Sequence, residues 1–219
     1  MPYRRTANVE RRLAARHAAI IAAARQAASE GGMAAVRIAA VAQRAGIAAG
    51  TVYRYFPGKT DLVAALLSEI SEREIAALRR AADVAPGPLS ALSAAIMTFA
   101  ARALRDRRLA FAVTGEPVDA ELDAMRVTFR KALAAEFATR IVAAAAGRHL
   151  PEQDAALASA ALVGLLIEAL IGPLAQDAPG REHVLVQSLT LIALRALGLA
   201  DARARGLVVQ TALQPDAAS

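Results

Sequence analysis

Val41-Ala-Gln-Arg-Ala-Gly-Ile-Ala-Ala-Gly-Thr-Val-Tyr-Arg-Tyr-Phe-Pro-Gly-Lys59 is the stretch that decides the fold. Glycine accepts the left-handed backbone that closes a helix, so Gly46 predicts a tight turn between two short helices, about Ile38–Ala45 and about Ala49–Tyr55. Pro57-Gly58 then stops the second. An arginine, a threonine and two tyrosines lie on or beside it. This is the layout of a helix-turn-helix, whose second helix enters the major groove of DNA.

Charge around this stretch supports the same reading. Residues 1–60 hold ten Arg/Lys against two acids, a net +8, whereas the rest of the chain nets −2. Such asymmetry is the electrostatic footprint of a polyanion partner. A solvated basic tail would account for Arg4 and Arg5 but not for the charges inside the motif.

Outward from the motif, almost every segment reads helical, and no β-branched run alternates at period two. A first helix, about Ala7–Glu30, ends at Gly31-Gly32. A long fourth starts near Lys59, with Gly58 as N-cap and Asp61 complementing the helix dipole. Further helices are expected at about 89–105, 107–114, 120–146, 152–176 and 180–197, separated by Gly/Pro breaks. Residues 201–219 read as a weakly periodic tail that frays. The expected architecture is all-α, with about nine helices in total: a three-helix reading head over residues 1–60, a helical body over 61–200, and the tail.

Composition narrows the class. The 219-residue chain has no cysteine, which removes disulfides, thiolate metal sites and cysteine nucleophiles and suits a reducing cytoplasm. The N-terminus lacks the apolar stretch of a signal peptide. The best candidate for a membrane span, Ala155–Ile167, runs 13 residues without a charge before Glu168 and then Gly172-Pro173. A membrane span needs roughly 20, so this run reads as a buried helix and no membrane partner is expected.

Within the motif, Thr51 and Tyr53 can offer hydroxyl hydrogen bonds to phosphates or base edges. Tyr55 and Lys59 suit phosphates, which set register without reading sequence. Arg44 and Arg54 are long donors able to reach guanine or a phosphate. Gly50 costs about 1 kcal/mol inside a helix relative to alanine, a cost that close backbone approach to DNA would offset. Phe56 reads as core.

With these residues in place, the segment from about Ile20 to Leu67 resembles the DNA-binding domain of the TetR/AcrR family of bacterial regulators. The family pattern is carried by Val41-Ala42, Ala45-Gly46-Ile47, Gly50-Thr51-Val52-Tyr53, Tyr55-Phe56 and Lys59. Two positions depart from it. Ala48 stands where the family usually has a capping Ser or Thr, and Arg37 where a Thr usually opens the first helix of the pair. Each lost cap costs about 1 kcal/mol. The candidate DNA-contacting set is Arg37, Arg44, Ala48, Ala49, Gly50, Thr51, Tyr53, Arg54, Tyr55 and Lys59.

The resemblance implies a homodimer on a palindromic operator, released by a small, largely apolar effector, with no cofactor. Dimer contacts would come from Ala161, Leu162, Leu165, Leu185, Leu189 and Ile192 on the last two long helices. Candidates to line the effector pocket are Phe99, Phe111, Met125 and Phe129, with Arg126, Arg130 or Glu168 as a polar handle. A carboxylate in an apolar run is costly to bury alone, so Glu168 is expected at a pocket or at the dimer seam.

Other classes fit less well. His17, His149 and His183 are far apart in sequence, and no phosphate loop or nucleophile elbow is present, which argues against an enzyme. A non-specific or architectural DNA binder is the main alternative. A membrane-surface module would need aromatic anchors that the narrow apolar face of the first helix lacks.

Overall fold

The computed structural model describes residues 7–117, 120–175 and 180–211. Arg4, Arg5, the break expected at residues 177–179, the end of the helix expected to reach Gln176, and the closing 215–219 lie outside the described residues. Ten helices occur among those described: α1 (Ala7–Ala35), α2 (Ile38–Arg44), α3 (Ala49–Tyr53), α4 (Lys59–Asp83), α5 (Pro88–Arg105), α6 (Arg107–Thr114), α7 (Ala120–Ala146), α8 (Ala155–Ala175), α9 (Glu182–Ala196) and α10 (Asp201–Gln210). No strand occurs among them. The all-α expectation therefore holds, with one helix more than predicted.

The extra helix is α10. Residues 201–210 do not fray: Ala204 and Val208 are buried, and α10 packs against α9 and α5. Its alternation of Ala, Arg and Gly hides an apolar face that exists only once α9 is there to cover it. At the other end, α1 is interrupted where its glycines predict, with Gly31 and Gly32 outside helical geometry and Gly32 at φ +68°.

α4 joins the head to the body. Its apolar positions recur every three or four residues, and Leu62, Leu66, Ile70 and Leu78 are all buried. The first of these close the head against Ile20, Val41, Val52 and Phe56, and one buried apolar cluster runs from Ile20 to Val208.

α6 lies across α1 and is gripped at both ends. Ser29 Oγ donates to Asp106 Oδ2 at 2.7 Å, and Asp106 also caps α6 by accepting the Leu109 amide. Beyond the other end, Glu116 accepts the Met33 amide at 2.9 Å and pairs with Arg108. A side chain at Gly32 would collide with that carboxylate, so the glycine is needed for close approach as well as for its backbone angle.

α8 is less buried than its composition suggests. By length and apolarity it could cross a membrane, yet only 33% of the Ala155–Gly172 stretch is buried inside the protomer. Leu162, Val163, Leu166, Ile167 and Leu170 face the core, while Leu157, Ala161, Gly164 and Glu168 face outward. The expectation of a buried helix holds for one face of α8, while the other has no partner among the described residues.

Candidate nucleic-acid interface and body cavity

The turn between α2 and α3 follows from Gly46. Its φ is +64°, and an added Cβ would meet nothing within 4 Å, so the constraint is conformational and not steric. The Gly46 amide donates to the Gln43 carbonyl and the Ile47 amide to the Ala42 carbonyl, which satisfies the carbonyls that end α2. Neither Arg37 at the start of α2 nor Ala48 at the start of α3 makes a side-chain capping bond. With only five residues and no cap, α3 cannot stand alone. Val52, fully buried against the head core, holds it in place.

Opposite Val52, α3 and its flanks present Ala48, Gly50, Tyr53, Arg54 and Lys59 to solvent. Tyr53 is 53% exposed, its hydroxyl open to solvent or a ligand. The space around Gly50 is open, so the backbone itself is approachable there. Arg37 is exposed beside this face, whereas Ala49 and Thr51 are half-buried. Tyr55 is half-buried too, and its ring sits 6.4 Å from the ring of His17, which also lies 5.0 Å from that of Phe56. Phe56 is core, as predicted.

Arg44 needs correction as a free base-reading donor. Both of its terminal nitrogens are engaged by the Glu30 carboxylate of α1. That hydrogen bond is the leading reason the Glu30 carboxyl is held below its ordinary value. Arg44 thus pins α2 to α1, and sequence spacing gave no sign of it because the partner lies 14 residues back, across the Gly31-Gly32 break.

The body contains a cavity of about 1090 Å³ bounded by α1, α4, α5, α6, α7 and α8. Phe99 and Phe129 line it, together with Ile70, Leu109, Val113, Ile167, Leu170 and Leu174. Phe111, Met125, Arg126, Arg130 and Glu168 do not. Their helical phase explains this. Phe111 lies on the side of α6 that meets Gly115, away from Leu109 and Val113. Arg126, one turn before Phe129, turns its guanidinium to the Glu116 and Ala112 carbonyls at 2.6 and 2.7 Å and so ties α7 to α6. Glu168 is exposed on the outer face of α8.

Sequence reasoning missed the cavity's polar members. Arg25 of α1 lines it, as do Glu74 and Arg102, which form a two-point ion pair between α4 and α5 at 2.7 and 2.8 Å. No local pattern in the sequence joins these residues.

The expected dimer residues also divide. Leu162 and Leu189 are buried within the protomer and are corrected to core. Ala161 and Ile192 are exposed, and Leu165 and Leu185 are half-buried. Among the described residues no group of three or more His, Asp or Glu side chains could hold a metal ion.

Comparison with known proteins converges on this arrangement. Residues 20–66 match the family described as bacterial regulatory proteins, tetR family. The chain is 46% identical over 66 residues to the HTH-type transcriptional repressor KstR of Mycolicibacterium smegmatis, which spans 30% of this chain and 32% of that repressor. KstR of Rhodococcus jostii is 52% identical over 46 residues, 21% of this chain and 22% of its own length.

Solved structures are alike over far more of the chain. FadR of Bacillus halodurans, a fatty acid degradation regulator, superposes with a TM-score of 0.74 at 23% identity, covering 84% of this chain and 97% of that one. RolR in complex with resorcinol gives 0.71 at 22% identity, covering 94% and 98%. FadR of Bacillus subtilis, solved with stearoyl-CoA, gives 0.72 at 21% identity, covering 81% and 97%. At these identities the likeness is one of fold. The tetR-family match itself covers residues 20–66, about a fifth of the chain, and the solved structures extend the likeness of fold over most of the rest.

Proposed function

We propose that this protein is a sequence-specific transcriptional repressor that binds a palindromic operator as a homodimer and leaves it when a small molecule fills the body cavity. The observation that carries the reading is the outward face of α3. It displays Gly50, Tyr53 and Arg54, with Lys59 just beyond, inside the family-matched segment. Tyr53 and Arg54 supply donors to phosphates and base edges, Gly50 admits the DNA backbone, and Lys59 and Arg37 add phosphate contacts.

Dimerisation fits the uncovered face of α8, where Leu157, Ala161, Gly164 and Glu168 lie in line, and the neighbouring exposed Val184 and Ile192 of α9. Small residues allow close helix approach, and a second copy is the partner that a two-fold operator demands. At such a seam Glu168 stands beside its symmetry mate or a partner cation. Replacing it with leucine changes the dimer equilibrium.

Release follows from α4 and α6. Both line the cavity, and both pack on α1. A ligand that moves either helix displaces the reading head and changes the spacing of the two α3 helices. Known ligands of the structural relatives span a small aromatic, resorcinol, and a long acyl thioester, stearoyl-CoA. The volume here fits the larger kind.

The test is selection of bound fragments from a library of the source organism's genome at about 0.15 M salt. A few fragments sharing a palindrome are expected. Recovery of unrelated fragments would overturn the repressor reading in favour of a non-specific DNA binder.

A further inference from the structure

The cavity is elongated, with charged side chains toward both ends, Arg80 and Asp83 standing at the one away from α1. Along α4 its wall runs from Glu69 to Asp83, about 21 Å at 1.5 Å per residue. Facing that wall are the rings of Phe99 and Phe129 and the aliphatic side chains of α8. The end nearest α1 is marked by the contact of Ser29 with Asp106, and there too the lining is charged.

At that end each carboxylate has at least one donor, though Oε2 of Glu69 is buried with none among the described residues. Glu69 accepts from Arg73, and Glu72 from Ser68, each at 3.2 Å. Glu74 is held by Arg102, and Asp106 by Ser29. One cation at that end, Arg25, half-buried and one turn from Ser29, has no hydrogen-bond or ion-pair partner at all among the described residues. A guanidinium at the mouth of an apolar cavity lacks an anion, and a ligand can bring one.

We propose that the cavity takes an elongated apolar molecule ending in an anionic group, and that Arg25 receives that group. The inference rests on reading the cavity as the effector site. It adds the ligand class and a direct contact between ligand and reading head, because Arg25 belongs to α1, whose Ile21, Ala24 and Ala28 are part of the head core. A free carboxylate or the phosphates of a coenzyme A thioester can supply the anion; the Arg25 contact is common to both.

The test measures binding of dodecanoate, dodecanoyl-coenzyme A and 1-dodecanol to the full chain by calorimetry, without DNA. One or both anionic probes are expected to bind at least tenfold more tightly than the alcohol. Which of them does so distinguishes carboxylate from phosphate. Arg25→Met is expected to erase the preference and Arg25→Lys to retain most of it, with melting temperatures showing that both variants fold. Equal binding of all three probes by the parent chain, or an undiminished preference in Arg25→Met, would overturn the inference. If no probe binds while the protein still selects a palindrome, the ligand class fails and the repressor reading stands. If the preference is found but no DNA is selected, the site stands and the repressor reading fails.

Discussion

α3 and α8 each show the solvent a face that the protomer's own core does not explain, and the two faces differ in kind. α3 is five residues long, uncapped and anchored chiefly by Val52, yet with its flank it displays a tyrosine, an arginine and an open glycine. α8 is 21 residues long and displays Leu157, Ala161 and Gly164. A polar, cationic face is stable in water and waits for a polyanion at little cost. An apolar face of that length is costly to leave wet and is best covered by a permanent partner. On the proposed reading, head and body therefore meet different partners: DNA, visited reversibly, and a second copy, carried throughout.

The largest effects separate the two faces of α8. Leu162→Ala, on the inward face, is expected to destabilise the protomer by about 2–5 kcal/mol, read by chemical denaturation. Gly164→Arg, two residues on and facing open space, is expected to shift sedimentation equilibrium from dimer to monomer at micromolar concentration. If Gly164→Arg leaves the dimer intact, the outward face is not the seam.

On α3 the effect is on binding, not folding. Tyr53→Ala and Arg54→Ala are each expected to weaken operator binding by about 1–3 kcal/mol, measured by fluorescence anisotropy, with stability changed by less than about 0.5 kcal/mol. A stability loss matching the binding loss would make these residues part of the scaffold, and the contrast with α8 would dissolve.

A smaller effect tests the turn that aims α3. Gly46→Ala fills empty space but places a Cβ on a left-handed backbone, so a loss of about 1–2 kcal/mol in stability is expected. The smallest belongs to the Arg44–Glu30 pin. Arg44 holds the Glu30 carboxyl below its ordinary value. The pair's contribution is therefore present above the unfolded-state value and is lost as pH falls through the lower folded-state one. Arg44→Ala and the parent chain should differ slightly at pH 7 and converge below about pH 4.5, as denaturation midpoints measured across that range would show. A gap that persists in acid would mean that packing, not charge, makes the pin.

The chain's own order of residues determined the all-helical class, the breaks at Gly31-Gly32, Gly46, Pro57-Gly58 and Pro86–Pro88, and which family the segment around α3 belongs to. These are local matters: a glycine at positive φ or a proline after a turn acts through its own backbone, and a recognition motif is contiguous. Phe56 was legible as core for the same reason, lying one helical turn from Val52. Tertiary structure alone decided the rest. Arg44 binds Glu30, Arg126 ties α7 to α6, Leu162 and Leu189 turn inward, and Glu168 faces out, away from the cavity. Residues 201–210 became a helix because α9 and α5 were there to bury Ala204 and Val208. In a chain this rich in alanine the apolar stripe is wide and its phase weakly marked, so which side of a helix meets its neighbour is settled by how the helices pack.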